Sequence, residues 1–284
     1  MTEADFDYLR ALLKGRSGLA LAPEKRYLVE SRLSPLCRKH ALKGLPELIA
    51  RLRSGRDSAL EIAVVEAMTT NETFFFRDRT PFDLFRDALL PKLAAARAGN
   101  KRLRIWCAAA SSGQEPYSIA MILDEARARL PGFTFDILAT DLSQEVLDRA
   151  KAGVYTQFEV QRGLPIQMLL KYFKQNGDQW TISPQIRSMV QYRTLNLIKD
   201  FSPLGQFDVI FCRNVLIYFD QPTKADVMRR LASALAPDGA LFLGAAETVI
   251  GLTDALAPHP EHRGLYVASR PGTAAPPLRV AAGA

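Results

Sequence analysis

Leu103-Arg-Ile-Trp-Cys-Ala-Ala-Ala-Ser-Ser-Gly-Gln-Glu-Pro-Tyr117 decides how this chain folds. Residues 103–107 read as a short, largely apolar strand. A run of small side chains follows and ends at Gly113, where backbone can approach a ligand closely. Pro116 suits the first turn of a helix, and helical spacing continues over 117–130. Strand, small-residue loop and helix together form the opening unit of an alternating α/β sheet. The loop is not G-x-G-x-x-G, so a dinucleotide pyrophosphate matches it poorly.

Working outward, further apolar runs at 135–140, 190–195, 207–212 and 240–244 alternate with amphipathic stretches such as 223–235. Thr223 with Asp226 three residues on fits a capping box, and Pro237-Asp-Gly239 ends that helix. The alternation predicts a doubly wound, mostly parallel sheet over 99–270. Residues 154–189 interrupt it, and Asn176-Gly177-Asp178 predicts a small hairpin inserted there. Upstream, residues 1–80 carry helical spacing without strand alternation, with a helix start at Pro23 and a break at Gly44-Leu-Pro46. A connecting helix is expected over 81–98, and a disordered tail over 271–284.

The 284 residues carry a formal charge of +7, and residues 1–60 hold 12 Lys+Arg against 7 Asp+Glu. A basic end favours an acidic partner. No apolar run is long enough for a membrane span. Cys37, Cys107 and Cys212 have no CxxC spacing and read as free thiols of a reducing compartment. No two of His40, His259 and His262 sit at a metal-ligand helical spacing, so neither a metal centre nor a His-assisted nucleophile is expected.

In a doubly wound sheet, ligands bind beyond the carboxyl ends of the strands. Glu115 follows the first strand. Asp141 closes the second, with Ser143 as the next helix cap, and an acid there can accept from both hydroxyls of a ribose. The third strand runs into Asn196-Leu197, where an amide offers donor and acceptor to an adenine edge. Polar Arg213 and Asn214 break the apolar flanks of the fourth. Before the sheet, Met68-Thr-Thr-Asn-Glu-Thr-Phe-Phe-Phe-Arg77 interleaves Asn71, Thr73 and Arg77 with three Phe residues, at least two of them core.

Five strings occur in register: Thr69-Thr-Asn-Glu-Thr-Phe-Phe-Phe-Arg77, Ala108-Ala-Ala-Ser-Ser-Gly-Gln-Glu-Pro-Tyr-Ser118, Ala139-Thr-Asp141, Asn196-Leu197 and Phe211-Cys-Arg-Asn-Val-Leu-Ile-Tyr-Phe219. With them the chain closely resembles the chemotaxis receptor methyltransferase (CheR) family, from the N-terminal helices to about Ser269. The resemblance implies a helical N-terminal domain and a Rossmann-like domain, with a small antiparallel β insertion, that binds S-adenosylmethionine (SAM) and no metal. It implies cofactor contacts from Asn71, Thr73, Arg77, Glu115, Asp141, Asn196, Leu197, Arg213 and Asn214, with Arg77 and Tyr218 at the reacting centre.

The activity implied is methylation of glutamate side chains on cytoplasmic methylation helices of chemoreceptors. The enzyme would be a cytoplasmic monomer with no nucleic-acid partner. Methylation of another acceptor and non-catalytic SAM binding are the competing readings. The short hairpin turn predicts docking without a receptor C-terminal peptide. Lys25, Arg32 and Lys39 recur every seven residues, a stripe that could meet acidic receptor helices.

Overall fold

Apolar residues at helical spacing assemble the N-terminal unit: α1 (Glu3–Ser17), α2 (Arg26–Lys39), α3 (Leu45–Arg53) and α4 (Ser58–Met68). Phe6, Leu9, Leu13, Val29, Leu33, Leu48 and Val64 close its own core. The structure, a computed structural model, describes residues 1–269; the tail expected to be disordered lies outside them. A helix leads α2 in from Pro23, and α2 runs through Pro35 unbroken. After an extended strap at 69–77, the connecting helix comprises α5 (Thr80–Leu84), a π turn (Phe85–Leu89) and α6 (Leu90–Ala96).

The second unit alternates as its sequence implies: β1 (Arg102–Ala108), α7 (Gln114–Ala126), β2 (Thr134–Asp141) and α8 (Gln144–Ala152). The insertion holds β3 (Val154–Thr156), α9 (Gln157–Gln161), α10 (Ile166–Tyr172), β4 (Phe173–Asn176), β5 (Gln179–Ile182) and α11 (Pro184–Arg187). The main sheet resumes with β6 (Val190–Thr194), β7 (Phe207–Cys212), α12 (Gln221–Ser233), β8 (Leu235–Leu243), β9 (Leu256–Pro258) and β10 (Leu265–Ala268). Strand order is β6-β2-β1-β7-β8-β10-β9, parallel except for β10, which runs antiparallel to its two neighbours. Order reverses between β1 and β7, which places the ligand crevice there.

Strand alternation feeds two cores. Ile105, Cys107, Val209, Phe211 and Phe242 face the side covered by α7, the connecting helix and the insertion. Trp106, Ala108, Ile210, Cys212 and Leu241 face the α12 side. Burial on both faces explains why these strands read as continuous apolar runs. Cys107 and Cys212 point into opposite cores, and with Cys37 all three thiols are buried and free. The insertion is a three-stranded sheet, β3-β5-β4, whose hairpin turns at Gly177 and Asp178.

Two local expectations are corrected. Asp220, not Thr223, caps α12: its carboxylate accepts from Thr223 N at 3.1 Å, so Thr223 lies inside the first turn. Pro237-Asp-Gly239 does not end the helix, which stops at Ser233. It lies within β8, where the register shifts opposite Phe207 and Val209. Arg97 holds Asp238 there through two bonds of 2.6 and 2.8 Å, a tertiary contact that turn propensity cannot anticipate.

Gly163 seats the insertion on the strap. Its φ is +86°, and a Cβ would overlap the Phe75 carbonyl oxygen. Gly163→Ala should therefore lower unfolding free energy by about 2 kcal/mol, combining left-handed strain with a clash against backbone. Chemical denaturation measures this; an unchanged midpoint would show that the insertion seats differently.

Candidate active site

A cavity of about 970 Å³, open mouth included, lies at the carboxyl ends of β1, β2, β6 and β7. The residues expected from sequence converge on it: Asn71, Thr73, Arg77, Glu115, Asp141, Asn196, Leu197, Arg213, Asn214 and Tyr218 all line its wall.

The β1 loop is strained where it meets the cavity. Ala109 and Ser111 hold φ values of +64° and +51°, conformations that non-glycine residues keep only when surroundings enforce them. Asp141 enforces this one: one carboxylate oxygen accepts from Ser111 N at 2.8 Å and the other from Ser143 N at 3.0 Å. Each oxygen keeps a free lone pair for a ligand hydroxyl. Burial raises the Asp141 carboxyl above its ordinary value, against the lowering pull of the Ser143, Ser111 and Leu142 N–H groups.

Arg213 is buried at the end of β7. It donates to Glu115 at 3.0 Å, to Asp78 at 2.6 Å and to the Arg77 carbonyl at 2.9 Å. Its Nε is buried with no acceptor among the described residues. Burial raises the Glu115 carboxyl, with Arg213 acting against it. Arg77 donates to the Glu72 carbonyl at 2.9 Å, and the guanidinium groups of Arg77 and Arg162 stand 5.5 and 4.2 Å from the Phe74 ring centre. Phe75 and Phe76 are core, as two of the three were expected to be.

The N-terminal unit closes the cavity, which sequence reading missed. Ser17 and Leu19 line it, and Gly18 fits because a Cβ would stand 2.8 Å from Ile198. Asn196 donates to the Arg16 carbonyl at 2.6 Å and accepts from Ile198 N at 3.2 Å, which leaves its amide one hydrogen and further lone pairs. Helical periodicity does not reveal that a helix end will face a ligand.

Arg32 departs from the expected partner-binding stripe. Its guanidinium turns inward onto the Met68 and Thr69 carbonyls at 2.6 and 3.0 Å and Thr70 Oγ1 at 2.8 Å. It tethers the strap, because those strap acceptors have no helical partner, whereas Lys25 and Lys39 remain exposed. Among the described residues, His259, Glu261 and His262 bring side-chain ligand atoms within 4.8 Å of one another in the β9–β10 loop, outside the cavity lining. Among the described residues no helix is long and apolar enough to cross a membrane.

The strand order and an acid at the end of β2 suit a methyltransferase that uses SAM, and the family match shows that class. The chain belongs to the CheR methyltransferase family. Residues 71–264 match the family's SAM-binding domain, and residues 4–69 its all-alpha domain. Chemotaxis protein methyltransferase 1 of Pseudomonas aeruginosa is 46% identical over 255 residues, 88% of this chain and 92% of that protein. Chemotaxis protein methyltransferase Cher2 of Pseudomonas putida is 44% identical over 254 residues, again 88% and 92%. Chemotaxis protein methyltransferase 1 of Vibrio cholerae is 44% identical over 252 residues, 87% and 90%.

The raised carboxyls predict a pH dependence. Glu115 and Asp141 are charged only above their raised values, so protonation on acidification begins at a higher pH than for ordinary carboxylates. SAM affinity should weaken as pH falls, and Glu115→Gln should flatten part of that loss. Calorimetric titration from about pH 8 to about pH 5 measures it; an acid limb unchanged in the variant would detach Glu115 from cofactor binding.

Proposed function

We propose that this chain transfers the methyl group of SAM to glutamate carboxylates on the cytoplasmic methylation helices of chemoreceptors. The products are glutamate methyl esters and S-adenosylhomocysteine, and the reaction takes place in the cytoplasm. The match to the CheR methyltransferase family carries the acceptor class, and it is consistent that, among the described residues, the cavity wall holds no imidazole, amine or thiol. A glutamate, with an ordinary pKa of about 4.3, is already ionised and needs no base. The names of the relatives, all chemotaxis protein methyltransferases, support the receptor assignment.

When bound, the cofactor supplies an electrophilic methyl on a sulfonium. Its chemical groups fit the residues present. Asp141 offers lone pairs to ribose hydroxyls, Asn196 and Leu197 frame adenine, and Glu115 offers a buried carboxylate to the ammonium. The unpartnered Arg213 Nε can donate to an anionic ligand group, and Asn71, Thr73 and Asn214 complete the wall. Arg77 and Tyr218 hold the acceptor carboxylate in line with the methyl, and alignment is the chief contribution. Charge is lost as the anion meets the sulfonium, so a tight anion clamp would favour ground state over transition state. Arg77 therefore orients.

Docking rests on Lys25 and Lys39. Much of the remaining basic charge of the first unit is spent internally, on Arg16–Glu61, Arg26–Glu3, Arg51–Asp57 and Arg53–Asp5 pairs. That consumption argues against a phosphate-tracking surface. The two-residue turn of the hairpin supports docking without a tether to a receptor C-terminal peptide, and a free peptide of that kind should show no binding by calorimetry.

Tritiated SAM with receptor fragments tests the reaction. Arg77→Ala and Asp141→Ala should each cut transfer at least about 100-fold with the circular dichroism spectrum retained. Near-normal activity in either variant would remove the site assignment, and labelling of nucleic acid instead would replace the acceptor. Lys25→Glu with Lys39→Glu should raise the receptor KM and leave SAM affinity unchanged. Arg32→Ala should do the reverse, because it loosens the strap.

A further inference from the structure

The backbone N–H groups of residues 214–217, just past β7, have no backbone acceptor among the described residues. All four instead point at one side chain. Glu247 Oε2 accepts from Asn214 N at 2.8 Å, and Oε1 accepts from Val215, Leu216 and Ile217 N at 3.0, 2.8 and 3.3 Å. A fifth donor, Gly244 N, reaches Oε2 at 2.7 Å. Asn214 is held at φ +59° within this fan. Gly244 leaves no slack: a Cβ there would stand 2.8 Å from both Asn214 Nδ2 and Glu247 Oε2. Tyr266 on β10 donates to the Glu247 carbonyl at 3.4 Å, which anchors the acid from behind.

We propose that Glu247 is a positioning residue for methyl transfer: its buried carboxylate fixes the 213–218 loop that presents Asn214 and Tyr218 to the cofactor cavity. Glu247 is absent from the wall, whereas Asn214, Val215 and Tyr218 belong to it, so the residue acts through the loop. A carboxylate suits the place because it only accepts; an amide would turn hydrogens toward at least one of the two donor groups. The proposal rests on the reading that Asn214 and Tyr218 face the cofactor and acceptor.

Three measurements on the full chain test it. Amide hydrogen exchange of the unaltered protein should show the N–H groups of 214–217 protected, although no strand or helix partner shields them. Glu247→Gln should deprotect those amides, raise the SAM dissociation constant and lower kcat, each by about 30-fold, since a misplacement near 1 Å can cost about 100-fold. The receptor KM should stay within about twofold, and Glu247→Asp should recover part of the loss. Asp208→Asn is the control. Asp208 is a buried carboxylate at the other end of β7, bonded to Arg97 and to Arg104 N at 2.8 and 2.7 Å, and it lines no part of the cavity. It should lower the melting temperature and leave SAM affinity intact.

Unprotected 214–217 amides in the unaltered protein overturn the proposal even if the Gln variant does not fold. So does a Gln variant with normal SAM affinity and kcat, or one no worse than Asp208→Asn at equal loss of melting temperature. If no receptor fragment is methylated by the unaltered protein, the acceptor assignment fails instead, and the exchange and SAM-binding measurements still decide the role of Glu247.

Discussion

The site is organised around one buried cation. The Arg213 side chain is 2% exposed and joins the end of β7 to Glu115 on α7, to Arg77 of the strap and to Asp78 just past it. Burying such a charge is costly, and removing its buried partner would cost about 3–5 kcal/mol because the remaining charge would be uncompensated. Asp78 is half exposed, so its share is screened by solvent. The Glu115 contact is the one made out of water. The return for this expense is specificity of position, since three segments distant in sequence can meet at a guanidinium in only one way.

From that joint the rest of the cavity follows outward. The strap enters between two domains, tied by Arg32 on one side and by Ser111 and Ser118 on the other. The end of α1 closes over the far wall through Asn196, and Ala20 N donates to the Tyr218 carbonyl. The cavity is therefore completed by both units. Electrostatics follow the same layout: Glu115 and Asp141 in the wall are buried and raised in pKa, while Arg16, Arg26, Arg51 and Arg53 of the first unit are paired within it.

Composition and periodicity made much of this legible. Apolar runs with a small-residue loop implied the parallel sheet, because a strand buried on both faces leaves no polar alternation. Acids and amides stood out at strand ends because burying them unpaired would be costly. Glu247 was equally visible as a lone acid after Leu241-Phe-Leu243, yet four of its five donors come from another strand end, which no local pattern encodes. Arg32 failed for a related reason, since a seven-residue recurrence reports a shared helix face and cannot say whether that face meets solvent or a carbonyl.

The sequence by itself determined the alternating fold, the strand-end location of the site and the residue types that face it. These follow from local periodicity and the cost of burying polar groups. Only the tertiary structure decided which charges are spent inside the protein, that the first unit completes the cavity, and that one acid organises the loop beneath it. Those outcomes depend on tertiary contacts such as Glu247 with Ile217, 30 positions apart, and Asn196 with Arg16, 180 apart, and chain order alone carries no record of them.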